Sequence, residues 1–496
     1  MKLDQDLLSI QEVRDKLRNA SAAQKTLAEF SQENIDRIVK NICDAAVSEA
    51  ERLARMAVEE TGFGNVKDKI TKNLFAARQV YEAIKDVKTV GVIAEDVDRK
   101  VWEIAEPVGV VAGILPSTNP TSTVIFKALI AVKARNAIVF SPHPSALNCC
   151  LEAVRVVQEA AVAAGAPNDI IQCLEHPTLA ATQELMTHKL TDMLLATGGP
   201  GMVKAAYSSG KPAYGVGPGN VPVFVHKSAD VAQAARQIVQ SKSFDYGTIC
   251  ASEQAVVVEE GVKRLFLQEL KKNGAQLLTA QEKERVAKVI LNNRSLNVEI
   301  VGKPPQTLGK LSGITISENT RILVGEEVEV GKNIPFSIEK LSPILALYTV
   351  KDRREGSDLC LKLLEAGGLG HTVGIHAQDD EVIREFALKK PAGRIVVNSG
   401  TTFGGIGATT GILPSMTLGC GTYGNNITTD NIGPRHLLNI KRVAFGVREM
   451  ANEDERKAIS SGTPEETVEA SANLNLEINE AEITKIILKV ISQLNK

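Results

Sequence analysis

Cys250 stands where a thiol can act as a nucleophile. It lies in FDYGTICASEQ (244–254), after a turn that contains Gly247 and directly before the apolar stretch AVVVE (255–259). A thiol in such a turn, in front of a strand, can be exposed and can be reached by backbone N–H donors. The alternative is a small buried core residue, which is the usual environment of cysteine.

The other cysteines form no recognisable set of metal ligands or disulfides. An odd count of seven, wide spacing and the absence of a C-x-x-C pair argue against a disulfide framework and a structural zinc site. We therefore expect no metal and a reducing, cytoplasmic compartment. The remaining six are Cys43, Cys149, Cys150, Cys173, Cys360 and Cys420.

Two glycine-rich turns are candidates for binding phosphate. ATGGPGM (196–202) follows an apolar stretch and opens a helix, where backbone N–H groups can approach an anion. It lacks the G-x-G-x-x-G spacing, so a simple strand-to-helix turn is an equal alternative. GVGPGN (215–220) has the same two interpretations.

One of the seven histidines also stands out, although none has a metal-ligand spacing. His371 lies in GGLGHT (367–372), with glycines before it at the entrance of a predicted strand. It could take part in acid–base chemistry. The alternative is a histidine hydrogen-bonded within its own loop.

The elements that must position these residues alternate between strands and helices. Residues 1–86 have helical apolar spacing and 87–106 resemble a β hairpin. From 107 onward short apolar stretches alternate with helices, which predicts parallel sheets covered by helices, in two α/β halves meeting near 215–220. The stretch 399–424 is predicted to be a loop near a site. Strands are predicted at 108–115, 137–140, 169–174, 192–199, 221–225, 255–259, 344–350, 372–377 and 394–398.

The composition excludes several classes of protein. The 496 residues include 57 Lys and Arg against 59 Asp and Glu, so no basic field attracts nucleic acid. Hydrophobic residues make up 44%, which is too many for a disordered chain. We find no apolar run of about 18 residues and no secretory signal, and therefore expect no membrane partner.

The last 45 residues form a separate segment. Residues 451–475 are polar and charged and are predicted to be a linker. Residues 476–496 carry one apolar stripe at helical spacing, which predicts an amphipathic helix. The stripe consists of Ile483, Ile486, Ile487, Val490, Ile491 and Leu494.

Six segments together resemble the CoA-acylating aldehyde dehydrogenases, which belong to the aldehyde dehydrogenase superfamily. The similarity runs in matching order over residues 5–450. The set of segments resembles the aldehyde half of bifunctional aldehyde–alcohol dehydrogenases. It also resembles the acetaldehyde and propionaldehyde enzymes of bacterial microcompartments. The segments are 106–129, 195–213, 244–254, 339–346, 368–376 and 393–407.

The resemblance assigns a role to each matching position. Cys250 is the nucleophile, and the loop LPSTNP (115–120) contributes a side chain to the oxyanion hole. Both Thr118 and Asn119 are candidates, because the alignment of this loop allows either. The implied cofactor-binding residues are Glu339, Thr197, Gly198, Gly199, Ser141, Pro142 and Gly217.

One departure from hydrolytic relatives indicates the acyl acceptor. Those enzymes carry E-L-G-G-K, whose glutamate activates water, whereas residues 212–220 contain no acid here. A thiol cosubstrate can replace water. The implied reaction is reversible oxidation of acetaldehyde or propionaldehyde through an acyl-Cys250 thioester, with NAD as oxidant, CoA as acceptor and His371 assisting the thiol. The stretch 139–144 contains no acidic residue at the position where many relatives contact the adenosine ribose of NAD. The cofactor could therefore be NAD or NADP.

The resemblance also implies the fold and the partners. We expect an α/β aldehyde dehydrogenase fold, with a Rossmann-like NAD-binding domain (1–86 and 107–218) and a catalytic domain (219–436). Strands at 87–106 and 437–446 would form a dimer or tetramer. The segment 476–496 resembles an encapsulation peptide that binds microcompartment shell proteins; a helix packed on the enzyme itself is the alternative.

Two other functions remain as alternatives at this point. A CoA-independent relative, either hydrolytic or similar to glutamyl phosphate reductase, would use the same cysteine without CoA. An inactive scaffold protein would retain the fold but not the chemistry. The intact Cys250 and Glu339 argue against the scaffold, and the acid-free turn argues against the hydrolytic enzyme.

Overall fold

The computed structural model describes residues 4–293, 295–448 and 450, in two compact units. The described part of the first unit is 4–94 and 103–442, apart from residue 294, and that of the second is 95–102, 443–448 and 450. None of the helices in these ranges is long and apolar enough to cross a membrane. The predicted linker (451–475) and terminal helix (476–496) lie outside the described residues.

The helices and strands follow one another through the whole described chain. The helices are α1 (Gln5–Ala28), α2 (Gln32–Ser48), α3 (Ala50–Thr61), α4 (Val66–Leu74), α5 (Val80–Ile84), α6 (Pro120–Lys133), α7 (Leu147–Ala163), α8 (Leu179–Thr187), α9 (Pro200–Tyr207), α10 (Val231–Ser243), α11 (Glu260–Lys272), α12 (Ala280–Ile290), α13 (Pro305–Ser312), α14 (Arg353–Gly367), α15 (Asp380–Leu388) and α16 (Thr401–Gly405). The strands are β1 (Gly91–Asp96), β2 (Val101–Pro107), β3 (Val110–Ile114), β4 (Ala137–Ser141), β5 (Ile171–Cys173), β6 (Met193–Thr197), β7 (Ala213–Val216), β8 (Val221–Val225), β9 (Glu253–Glu259), β10 (Ala275–Leu277), β11 (Leu291–Asn292), β12 (Ser295–Leu296), β13 (Ile322–Glu326), β14 (Ile344–Val350), β15 (Gly370–His376), β16 (Ala392–Val397) and β17 (Leu438–Ala444).

The first parallel sheet has five strands in the order β5-β4-β3-β6-β7. In chain order this is 3-2-1-4-5, the arrangement of a dinucleotide-binding sheet, and the chain reverses direction across the sheet between β3 and β6. All residues of β3 and β4 are buried, which explains why these strands are continuous apolar runs. Helix α6 is buried over its full length and packs beneath them.

The second parallel sheet has seven strands in the order β10-β13-β14-β9-β8-β15-β16. Its central strands β8, β9 and β15 are fully buried. Two separate apolar clusters cover its faces, one around Phe224 and Phe386 and the other around Phe266. The α/β class and the parallel sheets predicted from sequence are thus confirmed.

Three features differ from the sequence prediction. Strand β7 overlaps the glycine-rich turn predicted at 215–220, and the strands β10, β11, β12 and β13 were not predicted. The stretch 399–424, predicted to be a loop, contains the helix α16. This helix has poor intrinsic propensity, but Glu253 accepts a hydrogen bond from Thr401 N (2.7 Å) and Ser241 Oγ accepts one from Thr402 N (3.0 Å). Side chains distant in sequence thus satisfy its N-terminal N–H groups.

The predicted hairpin and its partner strand are present as a three-stranded sheet, β1-β2-β17. Most residues of β1 and β17 are exposed or half-buried. In the second unit the rings of Trp102 and Phe445 meet edge to face, with centroids 5.1 Å apart, while both remain partly exposed.

Candidate active site

A cavity of about 860 Å³ contains ten of the eleven candidate residues in its lining. These residues belong to segments next to the two parallel sheets. The candidate cofactor-binding turns lie at the carboxyl ends of the five-stranded sheet, whereas Cys250 precedes the amino end of β9 in the seven-stranded sheet. The ten are Thr118, Asn119, Ser141, Pro142, Thr197, Gly198, Gly199, Gly217, Cys250 and Glu339.

The side of the cavity formed by the five-stranded sheet fits a dinucleotide. Ligands of such sheets bind beyond the carboxyl ends of the strands, near the point where strand order reverses. Thr197 ends β6 at this point, and its buried hydroxyl has no hydrogen-bond partner among the residues that the structure describes. A Cβ added at Gly199 or Gly217 would meet no atom within 4 Å, so both turns leave room beside the backbone. The unpartnered hydroxyl and the open turns suit a nicotinamide dinucleotide.

The turn before Cys250 has an unusual backbone. Asp245, Tyr246 and Gly247 all have positive φ, at 47°, 53° and 77°. Such a conformation costs free energy for residues other than glycine and is typical of functional sites. At Gly247 a Cβ would also lie 2.8 Å from the carbonyl oxygen of Ser342, so a larger residue does not fit. The packing around the turn holds this conformation in front of the thiol.

Cys250 differs from the other cysteines in being accessible. The other six are buried, whereas Cys250 is partly exposed in the cavity lining. Removal of the sulfur from water raises the pKa of Cys250 to about 12, and the nearby carboxylate of Glu339 contributes in the same direction. In the ligand-free protein the side chain is therefore a thiol, and its reactivity depends on losing the proton.

Glu339 lines the cavity from the segment before β14. Its Oε1 accepts a hydrogen bond from Gly219 N at 3.2 Å, which ties it to the segment that precedes β8. Burial raises the pKa of Glu339 to about 7, although that hydrogen bond and the nearby Lys242 and Lys340 oppose the shift. Its charge therefore changes close to neutral pH.

His371 is the one candidate that does not line the cavity. It was predicted at the entrance of a strand. In the structure β15 begins earlier than predicted, so that His371 is the second residue of this strand and is fully buried. Its Nδ1 lies 3.0 Å from Thr372 Oγ1, and its Nε2 has no partner. Burial and the charge of Arg394 lower the pKa of His371 to about 3, so the ring is neutral.

Gly219 separates the His371 ring from Cys250. A Cβ at this position would lie 3.3 Å from His371 Nε2 and 2.0 Å from the carbonyl oxygen of Cys250. Only glycine allows this approach. The histidine therefore stands behind the backbone of the nucleophile rather than at the cavity wall.

Thr118 and Asn119 are hydrogen-bonded to each other. Asn119 Nδ2 donates to Thr118 Oγ1 at 3.1 Å and, more weakly, to the carbonyl oxygen of Thr248 at 3.4 Å. Asn119 Oδ1 accepts from Lys72 Nζ at 2.5 Å. Both the nitrogen and the oxygen of the Asn119 side-chain amide are therefore hydrogen-bonded.

The sequence analysis missed a buried charged cluster beside these residues. Lys69 and Lys72 lie one turn apart on α4, and both form ion pairs with Asp245, which has no exposed surface. Burial opposes ionisation of Asp245, but the charges of Lys72 and Lys69 outweigh it, and the pKa stays below its ordinary value. Burial lowers the pKa of Lys72 to about 8 against the attraction of Asp245. Nothing in the spacing of α4 distinguishes these lysines from solvated ones.

The pKa values of Cys250 and Glu339 predict how the thiol reacts with iodoacetamide. Since the thiolate is the reactive form, alkylation of Cys250 should accelerate about tenfold per pH unit from pH 7 to 9 without a plateau. Glu339→Gln removes a negative charge that is present at pH 8 but not at pH 6. It should therefore speed alkylation at pH 8 and have little effect at pH 6, as measured by mass spectrometry of the Cys250 peptide.

Glu365→Gln provides the control for this experiment, because Glu365 is exposed and does not line the cavity. It should leave the rate unchanged at both pH values. A plateau near pH 8 in the unaltered protein would show that the pKa of Cys250 is not raised.

Comparisons with known proteins agree with this site. A sequence profile described as the aldehyde dehydrogenase family matches residues 6–293. The bifunctional aldehyde-alcohol dehydrogenase of Escherichia coli is 45% identical over 441 residues, covering 88% of this chain and 50% of that protein. The crystal structure of an acetylating aldehyde dehydrogenase from Geobacillus thermoglucosidasius is 65% identical, with a TM-score of 0.90, covering 91% of this chain and all of that one.

A more distant structure has its cysteine acylated. It is the propionaldehyde dehydrogenase of Rhodopseudomonas palustris with bound CoA, which is 29% identical with a TM-score of 0.80, covering 87% of this chain and 97% of that one. The chain described here belongs to the aldehyde dehydrogenase family. It spans about half the length of the aldehyde–alcohol dehydrogenases that it matches.

Proposed function

We propose that this protein oxidises a short-chain aldehyde, acetaldehyde or propionaldehyde, and transfers the acyl group from Cys250 to CoA. The observation that carries the proposal is the accessible Cys250 in a cavity where Glu339 is the only carboxylate among the described lining residues. The acylated cysteine and bound CoA in the Rhodopseudomonas palustris relative support it.

Each step of the proposed reaction uses particular residues of the cavity. Cys250, once deprotonated, attacks the carbonyl carbon of the aldehyde. The oxyanion formed is stabilised by the backbone N–H of Cys250 and by a side chain of the loop that contains Thr118 and Asn119. NAD, when bound along Thr197–Gly199, Ser141, Pro142, Gly217 and Glu339, supplies the oxidant that accepts a hydride. The thiol of CoA then loses its proton to solvent and attacks the thioester carbonyl. The bond from the acyl carbon to the Cys250 sulfur breaks, and the cysteine leaves as a thiolate that takes up a proton.

The scarcity of carboxylates explains why CoA rather than water accepts the acyl group. Residues 212–220 contain no acid. Glu339 is engaged by Gly219 N and belongs to the proposed cofactor site. A thiolate needs less assistance than water to attack a thioester. His371 can act on this step only through Gly219 or after a movement of the backbone, since it does not reach the cavity wall.

A direct assay tests the proposal. Purified protein with acetaldehyde or propionaldehyde, NAD and CoA should produce NADH and the matching acyl-CoA in equal amounts, measured by absorbance and mass spectrometry. NADH formed together with free acid would support a hydrolytic enzyme instead. Activity only with an acyl phosphate would support a relative of glutamyl phosphate reductase.

We expect NAD to be preferred over NADP. The described residues that line the cavity include no lysine or arginine, so the 2′-phosphate of NADP would lack a cationic partner. A missing hydrogen bond to a charged group reduces affinity by about 10- to 100-fold. The kcat/KM with NAD should exceed the kcat/KM with NADP by about 10- to 100-fold. Equal values for the two cofactors would contradict the expected preference for NAD.

We propose that β1, β2 and β17 assemble the protein into a dimer or tetramer. The second unit exposes several apolar side chains, which favours burial against a second copy. Sedimentation at micromolar concentration measures the assembly state. The exposed residues are Val97, Trp102, Val443, Phe445, Val447 and Met450.

We also propose that residues 476–496 bind a microcompartment shell protein. The helix predicted there from the sequence would carry six apolar residues on one face, and these would need a partner surface. Fusion of this segment to a fluorescent reporter should direct the reporter into shells. Loss of assembly or activity on its deletion would support packing against the enzyme instead.

A further inference from the structure

Lys72 connects the two segments that flank the candidate nucleophile. Its Nζ donates to Asn119 Oδ1 at 2.5 Å, to Thr248 Oγ1 at 2.8 Å and to Asp245 Oδ2. These three bonds use all three donors of an ammonium group. One acceptor belongs to the loop after β3 and two belong to the turn before Cys250.

The neighbouring Lys69 repeats this connection. Its Nζ donates to the carbonyl oxygen of Thr118 at 2.9 Å and to Asp245 Oδ2 at 3.1 Å. Asp245 is in turn fixed by Asn65 N, which donates to its Oδ1 at 2.9 Å. Helix α4 therefore holds the Thr118–Asn119 loop and the Asp245 turn in one charged network, with less than a twentieth of either lysine side chain exposed.

The network fixes the direction of the Asn119 amide. Because Lys72 can only donate, the amide oxygen must face it, and the NH₂ group must face Thr118. Asn119 Nδ2 then donates to Thr118 Oγ1. The hydroxyl of Thr118 receives this bond as an acceptor, so its own proton remains available to another group in the cavity.

We propose that Lys72 is a positioning residue that acts through Asn119 to present the hydroxyl proton of Thr118 to the oxyanion formed on Cys250. This inference rests on the proposed function and selects Thr118 over Asn119 as the side chain that contacts the reacting oxygen. The positive charge of Lys72 polarises the amide, and the amide polarises the hydroxyl, so each donor in the chain is strengthened.

The test measures the burst of NADH formed with saturating aldehyde and NAD but without CoA. Thr118→Val should slow the burst by about 100-fold, the usual effect of losing an oxyanion donor, and Thr118→Ser should restore most of the rate. Lys72→Met should slow it by at least about 10-fold, with the KM for aldehyde nearly unchanged. Lys67→Met, an exposed lysine on the same helix, is the matched control and should behave as the unaltered protein.

A double variant distinguishes positioning from a general loss of structure. If Lys72 acts through Thr118, Lys72→Met combined with Thr118→Val should be no slower than Thr118→Val alone. Thermal unfolding and alkylation of Cys250 verify that each variant is folded. Lys72→Met leaves the buried Asp245 paired with Lys69, so the carboxylate keeps a cationic partner. If this variant nevertheless fails to fold, Thr118→Val and Thr118→Ser test the inference without it.

Each outcome decides a separate question. A burst in Thr118→Val within about threefold of the unaltered rate would overturn the inference, as would independent, multiplying effects of Lys72→Met and Thr118→Val. If the unaltered protein shows no aldehyde-dependent burst, or Cys250→Ser retains it, the proposed function itself is wrong. A normal burst that depends on Cys250 but not on Thr118 leaves the function intact and overturns only the role of Lys72.

Discussion

Replacing Cys250 by serine should abolish both the NADH burst and the formation of acyl-CoA. Serine has nearly the same size, but its hydroxyl ionises far less readily than a thiol, and the expected loss is several orders of magnitude. The measurement is single-turnover NADH absorbance with propionaldehyde, followed by mass spectrometry of the intact protein for an acyl adduct.

Cys149→Ser is the matched control for this experiment. Cys149 is buried at the start of α7, and its Sγ donates to the carbonyl oxygen of Ala146 at 3.4 Å, a bond that a serine hydroxyl can also make. Activity should be largely retained. If Cys250→Ser kept a measurable burst while remaining folded, a different residue would have to be the nucleophile.

Omitting CoA should stop turnover after about one NADH per active site. The acyl group would remain on Cys250, because residues 212–220 supply no acid to activate water and Glu339 is already hydrogen-bonded to Gly219. Stopped-flow absorbance measures the burst, and addition of CoA afterwards should release the acyl group and restart NADH formation.

The matched comparison for CoA is desulfo-CoA, which lacks the thiol but retains the rest of the molecule. It should not restart turnover. Steady NADH formation without CoA, at a rate close to that with it, would show that the protein hydrolyses its thioester. The role of His371 would then also need another explanation, since the resemblance assigns it to the thiol step.

The sequence predicted best those parts of the fold that depend on local pattern. The buried strands β3 and β4 are continuous apolar runs, because a strand whose two faces are both covered by other elements has no solvent-facing side for polar residues. Strand β7 was missed because four residues between glycine-rich turns carry too little periodicity. Helix α16 was missed because its N–H groups depend on Glu253 and Ser241, which lie about 150 residues earlier in the chain.

The same distinction applies to the candidate site. Thr197 and Ser141 were assigned to the cofactor site through the family resemblance, and the structure places both at the carboxyl ends of parallel strands, at one edge of the five-stranded sheet. His371 was placed at the entrance of a strand predicted over 372–377, whereas pairing with the neighbouring strand begins at Gly370 and includes His371 in β15. Lys72 and Asp245 were not identified at all: their pairing joins residues 173 positions apart, and two lysines on an amphipathic helix carry no signal of burial.

Because the turns that suit a dinucleotide belong to one sheet and the thiol precedes a strand of the other, the turns after β4 and β6 and the nucleophile Cys250 are encoded in different parts of the chain. Substitutions after β4 or β6 can alter recognition of the adenosine ribose without touching Cys250. Changes around the thiol can alter the accepted aldehyde without touching those turns. The turns after β4 and β6 and the residues around the thiol are therefore two sets of positions for engineering. Recombination with relatives between 217 and 221 would exchange those turns together with Thr118, while retaining Cys250 and Glu339.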